Sequence, residues 1–191
     1  MAKQSGEQLV RIGRIARVSG IMKWVLTTFM ALVFLIGILV LLLLLNPDWL
    51  EAGNEVIDFG DSGRTYGDVP QLQRWTLAFF YDACVGTFLM TLWYMRSVFA
   101  RLQILDFFSS KTLSAMVWCG IWFVVFGLMD FLEEPVASVL TTLDLPEGQR
   151  QLAIELEGGE IFFIIFGVMF MTLGWVMREA ARLQEENNQF I

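Results

Sequence analysis

Trp24-Val25-Leu26-Thr27-Thr28-Phe29-Met30-Ala31-Leu32-Val33-Phe34-Leu35-Ile36-Gly37-Ile38-Leu39-Val40-Leu41-Leu42-Leu43-Leu44-Leu45 is a run of twenty-two residues with no charge, no proline and a single glycine. At about 1.5 Å of rise per residue, a helix of this length just crosses a hydrocarbon core of roughly 30 Å. A secretory signal peptide is the rival reading. Its apolar region is shorter, about 7–15 residues, and a small-x-small cleavage site follows it. Asn46-Pro47-Asp48-Trp49 offers no such site, so the segment reads as a retained span.

Three similar segments follow, at about residues 75–95, 113–132 and 161–177. The chain is 56% hydrophobic with seven tryptophans, too apolar for an ordinary soluble domain of 191 residues. Trp24 and Trp49 flank the first span, Trp75 and Trp93 the second, and Trp175 closes the fourth, as interfacial aromatic belts do. The expected fold is therefore all-α. A basic amphipathic segment (1–23) precedes a four-helix transmembrane bundle (24–177), and a tail (178–191) follows. Cys84 and Cys119 both fall inside spans, where a thiol serves as a small hydrophobe.

Orientation comes from the basic residues. Lys3, Arg11, Arg14, Arg17 and Lys23 precede the first span, Arg96, Arg101 and Lys111 fill the second connection, and Arg178 and Arg182 follow the fourth span. The connections 46–74 and 133–160 hold only Arg64, Arg74 and Arg150, among many acidic residues. The positive-inside rule then places both termini and the middle connection in the cytoplasm of a bacterial inner membrane, with the two acidic connections outside. Leu9, Ile12, Ile15 and Ala16 against Arg11, Arg14 and Arg17 form a short basic interfacial helix that touches lipid head groups. Three arginines without aromatic interleaving give no reason to expect direct nucleic-acid binding. In the first outer connection, residues 59–68 are rich in turn formers and predict a small hairpin or coil. In the second, Pro146 through Leu156 reads as a short amphipathic helix ended by Gly158-Gly159, and residues 135–145 as either a continuation of the third helix or an interfacial segment.

Asp82 is the one ionisable residue well inside a predicted span, and a carboxylate at that depth costs about 2.5–3.5 kcal/mol on insertion scales. Ala78, Asp82 and Gly86 recur every four residues, so the carboxylate is expected on a stripe that another helix can approach. Two readings stand: a proton, cation or ligand site, or a carboxylate satisfied by threonines, backbone groups and outer-leaflet water. Gly120 and Gly127, and likewise Gly167 and Gly174, are seven apart, which puts each pair on one helix face and predicts close helix packing.

Absent residues bear on chemistry. The chain has no histidine, the commonest ligand of haem, zinc and copper and the usual general base. It also has no CxxC, no phosphate-binding glycine loop with its lysine and no serine nucleophile with a positioned base. No cofactor, no metal and no catalysis are expected.

Phe107-Phe108-Ser109-Ser110-Lys111-Thr112 before the third span, and Glu179-Ala180-Ala181-Arg182-Leu183-Gln184-Glu185-Glu186-Asn187-Asn188-Gln189 after the fourth, resemble the DUF2975 family of small bacterial four-span membrane proteins. The ending Gln189-Phe190-Ile191 and the long acidic outer connections depart from that pattern. The resemblance implies no enzymatic activity, and it implies a link to small helix-turn-helix transcription regulators. Arg101, Leu105, Phe107 and Phe108 in the middle connection and Leu183, Glu186 and Phe190 in the tail set apolar groups among charges, as a partner-binding rim does. The expected role is a protein-binding regulatory or accessory subunit, bound to a transcription regulator, to a larger membrane complex or to further copies of itself. The alternative is a small transporter or channel using Asp82, with Glu160 or Asp130 in the same outer vestibule.

Overall fold

The computed structural model describes residues 2–46, 68–154, 156 and 158–189. Among these, the regular structure is four long helices: α1 (Ala2–Leu45), α2 (Gln71–Gln103), α3 (Ser110–Thr142) and α4 (Gly158–Gln189). Each contains a segment long and apolar enough to cross a bilayer, so the chain is a multi-pass, all-α membrane protein. The turn-rich stretch 59–67 lies outside the described residues.

All four helices outrun the apolar segments that announce them. α1 has 44 residues, roughly 66 Å at 1.5 Å per residue, about twice a hydrocarbon core. No break separates the described part of the basic segment, residues 2–23, from the first span. α3 runs ten residues beyond Leu132, through Pro135, to Thr142. Proline removes one backbone N–H and crowds the preceding turn, and the Ser138 hydroxyl donates to the Pro135 carbonyl at 3.0 Å just beyond it.

The amphipathic helix expected from Pro146 to Leu156 does not form. Gly148 sits at φ +95, outside the helical region, and residues 150–154 are irregular. That strand of chain folds back on the end of α3: the Gln151 N–H donates to Thr142 Oγ1 at 3.2 Å and the Ala153 N–H to Ser138 Oγ at 3.1 Å. The buried hydroxyls Ser138 and Thr142 thus compete with helical bonding for those N–H groups.

Packing runs in chain order, α1 on α2, α2 on α3 and α3 on α4. The α3–α4 contact is the tightest. A methyl group on Gly120 would lie 2.5 Å from the Gly167 carbonyl oxygen, and one on Gly167 would lie 2.6 Å from the Gly120 carbonyl oxygen. Seven residues either way along the antiparallel pair, Gly127 abuts the Glu160 carbonyl and Gly174 abuts Val117. Two helix backbones touch here because the side chains that would separate them are absent. Phe123 fills the flank, with its ring 5.9 Å from that of Phe170 and 6.2 Å from that of Phe163.

α2 meets another side of α3 through Cys84 against Met129, Thr91 against Cys119 and Phe88 against Phe126. The Cys119 thiol lies 4.0 Å from the Thr91 carbonyl. Both cysteines are free and buried. α1 leans on α2 through Gly20 against Gln103 and Gly37 against Val85. Two polar clamps pin it: Lys23 Nζ donates to Gln103 Oε1 and Arg96 Nε to Thr27 Oγ1, both at 2.8 Å. Between Trp24 and Leu45 the rest of the α1 surface is mostly exposed apolar side chain, including Leu32, Phe34, Leu35 and Leu39, the surface a lipid bilayer covers.

Overpacking a well-fitted contact costs about 1–3 kcal/mol, so Gly120→Ala and Gly167→Ala should each lower the thermal unfolding midpoint in detergent micelles. Gly86, where an added methyl meets nothing within 4 Å, is the control. Gly86→Ala should leave the midpoint unchanged or raise it, since alanine is the better helix former by about 1 kcal/mol. Circular dichroism melts of the three variants check the contrast.

Candidate functional site

The antiparallel order brings three things to one end of the molecule: the N-terminal extension of α1, the turn between α2 and α3, and the last three turns of α4. Gly174 lies level with Val117 and Leu113, near the start of α3. α4 therefore projects past α3 by its final dozen residues, and α1 projects past α2 by everything before Gly20.

The turn 104–109 is built by the chain itself. Ile104 N–H donates to the Arg101 carbonyl, Leu105 N–H to that of Leu102, and Asp106 N–H back to that of Arg101, at 3.0, 3.1 and 3.1 Å. This is the bonding of a helix end closed by a left-handed residue, a place usually taken by glycine. Here Leu105 occupies it, at φ 62. Ser109 then caps α3, its Oγ accepting from the Thr112 N–H at 3.2 Å.

Asp106 ties the two helix ends together. Its carboxylate accepts from the Ser109 hydroxyl at 2.6 Å, and Arg101 Nη1 lies 3.7 Å away. The Thr112 hydroxyl donates to the Asp106 carbonyl at 2.8 Å. The Ser109 hydroxyl above all, with Thr112, the Ser109 N–H and Arg101 adding to it, holds the Asp106 carboxyl below its ordinary value against the opposing effect of desolvation.

With its polar groups turned inward, the turn presents apolar ones. Ile104 is 72% exposed, Phe108 55% and Leu105 39%. Phe107 is half-buried, and Arg101, part of the rim expected from sequence, is engaged with Asp106. On α4, Leu183 is exposed at 52%, and Glu186 is spent on Arg182 of its own helix at 3.3 Å, with Glu179 on the other side of the same guanidinium at 3.5 Å. Phe190 lies outside the described residues. Sequence reading missed Ile104 and Asp106. The available signal was a serine followed three residues later by threonine, just ahead of an apolar run, which marks a helix start.

The polar groups within the spans are scattered. Asp82 is exposed on the outer surface of α2, and Gly86 faces open space, so the stripe Ala78–Asp82–Gly86 does not approach a neighbouring helix at the carboxylate. Positions four apart precess by about 40° on a helix of 3.6 residues per turn, and only Ala78 of the three is buried. The vestibule expected from Asp82, Asp130 and Glu160 is not assembled. Asp130 instead joins Tyr81 and Glu133 at a cavity between α1, α2 and α3. Glu160 is buried at the α3–α4 contact, where its carbonyl abuts Gly127. The helix-packing glycines Gly120, Gly127, Gly167 and Gly174 all lie on that contact. Among the described residues no cluster of three metal-ligating side chains occurs. No family model, no curated protein and no solved structure matches the chain.

A left-handed leucine costs about 1–2 kcal/mol relative to its relaxed state, partly offset in glycine by greater unfolded-state entropy. Leu105→Gly should therefore stabilise the protein by about 1 kcal/mol, read as a raised unfolding midpoint in micelles.

The lowered Asp106 value sets a second expectation. The folded value lies below the unfolded one, so this stabilisation is fully present at neutral pH. It is lost as pH falls below the ordinary carboxylate value and through the lowered one. Acid titration of the unfolding midpoint should show this loss in the wild type, and a shallower slope over the same interval in Asp106→Asn.

Proposed function

We propose that this chain is a membrane-embedded docking protein that binds a cytoplasmic partner protein with the turn 104–109. The observation that carries the reading is Leu105. A bulky residue held left-handed by a network spanning both helix ends fixes Ile104, Leu105 and Phe108 in one outward arrangement. Strain of that kind persists only where surrounding structure over-determines it, and it concentrates at binding surfaces. A preordered apolar contact loses less conformational entropy on association than a mobile one. The basic extension of α1 and the mixed charges of α4 flank this turn as a polar rim.

The excess of Lys and Arg at this end supports a cytoplasmic placement of both termini in a bacterial inner membrane. The resemblance to the DUF2975 family adds a partner class, a small helix-turn-helix regulator held at the membrane or a larger membrane complex, and it agrees with a chain that works without catalysis. The transport reading draws less support, because Asp82 faces outward alone rather than into a shared path.

Affinity purification of the full chain in mild detergent tests the proposal. A protein should co-purify in stoichiometric amount with the wild type and be lost with Phe108→Glu and Ile104→Glu. It should be retained with Leu152→Glu, a substitution of an equally exposed residue at the opposite end. Recovery of the wild-type chain alone, or a partner indifferent to the turn substitutions, would contradict it.

A further inference from the structure

Between α1, α2 and α3 lies a cavity of about 240 Å³. Its two ends differ in chemistry. Phe126, Asp130 and Glu133 face it from α3 in successive turns, and Phe88 and Tyr81 face it from the antiparallel α2. The Phe88 and Phe126 rings lie 4.7 Å apart and close the deep end. Asp130, Glu133 and the Tyr81 phenol stand at the end nearer the α3 C-terminus, the outer side of the membrane in the orientation given above.

The geometry points to a binding site for a small organic cation: an ammonium group between Asp130 and Glu133, with its apolar body against Phe88 and Phe126. Three observations select this class. The lining is apolar apart from the acidic end, so an uncharged polar solute would leave its own groups unsatisfied. Two carboxylates and a phenol fall short of the six to eight oxygens that calcium takes, and the aromatic faces suit a diffuse cation better than a hard one. A phospholipid headgroup would carry its phosphate toward the same two carboxylates, which repel it, so a free amine or quaternary ammonium is favoured over lipid. Size agrees, since an apolar cavity of about 150 Å³ in another protein holds benzene, and this one leaves room for a ring plus a substituted ammonium.

Equilibrium dialysis of radiolabelled benzyltrimethylammonium against the full chain in maltoside micelles tests this site. One saturable site per chain is expected. Neopentylbenzene, of the same shape with carbon in place of nitrogen, should not displace the probe, and neither should calcium or phosphocholine. Glu133→Gln should weaken binding about tenfold or more, as loss of a charge-assisted contact does. Val33→Trp, which fills the cavity from α1, should abolish it, and Asp82→Asn, on the outer surface of α2, should change nothing. Absence of saturable binding, equal displacement by the neutral isostere, or displacement by calcium or phosphocholine at like concentration would overturn the inference. So would unchanged binding in folded Glu133→Gln and Val33→Trp. The displacement comparisons need only the wild type, so they decide the matter even where a variant fails to fold.

Discussion

Two helix backbones in direct contact, α3 and α4 at Gly120 and Gly167, are the constraint on which the rest of this structure depends. In a bilayer the apolar side chains gain nothing by leaving lipid for protein, so helices associate through close packing and polar contacts. A methyl group at either glycine would sit inside van der Waals distance of the opposite carbonyl oxygen. The glycines recur at seven-residue intervals, and they match in antiparallel register from Gly127 and Glu160 at one end to Val117 and Gly174 at the other. That register decides how far α4 reaches past the start of α3. It also decides how much chain is left to join them at the opposite end, where residues 151–153 are held on the hydroxyls of Ser138 and Thr142.

The remaining packing is looser and more polar toward the chain's beginning. α2 covers another side of α3, and most threonines and serines in the spans return their hydroxyls to carbonyls three or four residues back, as Thr91, Thr141 and Thr172 do. α1 touches only α2 extensively and is fixed by Lys23 and Arg96, one clamp on each side of the interface. A helix held mainly along one neighbour leaves space at its flank, and the cavity ending at Phe88 and Phe126 is that space. The termini end shows the opposite economy: Asp106 gathers Arg101, Ser109 and Thr112 so completely that the side chains left facing out are Ile104, Leu105 and Phe108.

What could be read from sequence was what depends on period and hydropathy. The apolar cores of the spans follow from composition, and the glycine pairs follow from a seven-residue spacing that returns to one face after two turns. Helix lengths did not follow, because backbone hydrogen bonding continues into charged residues that hydropathy discounts, as in Ala2 to Lys23 and Arg178 to Gln189. The segment 146–156 has helical composition, but hydroxyls fifteen and nine residues earlier in the chain take the N–H groups of Ala153 and Gln151. Leu105 carries no glycine or asparagine signal for a left-handed turn; backbone bonds to the Arg101 and Leu102 carbonyls, together with Asp106 acting across two helices, hold it there. Asp82 looked like a packed carboxylate because a four-residue stripe was followed too far around a helix of 3.6 residues per turn. Asp130 and Glu133 were visible one turn apart. Their meeting with Tyr81 is tertiary.

The central claim is the backbone contact between α3 and α4, and solid-state NMR on glycine-labelled protein in lipid bilayers reaches it directly. The account predicts a through-space carbon–carbon cross-peak between Gly120 and Gly167 at short mixing time, with none between Gly120 and Gly86. Absence of the Gly120–Gly167 peak, in a sample whose sequential helical glycine signals are well resolved, would contradict it.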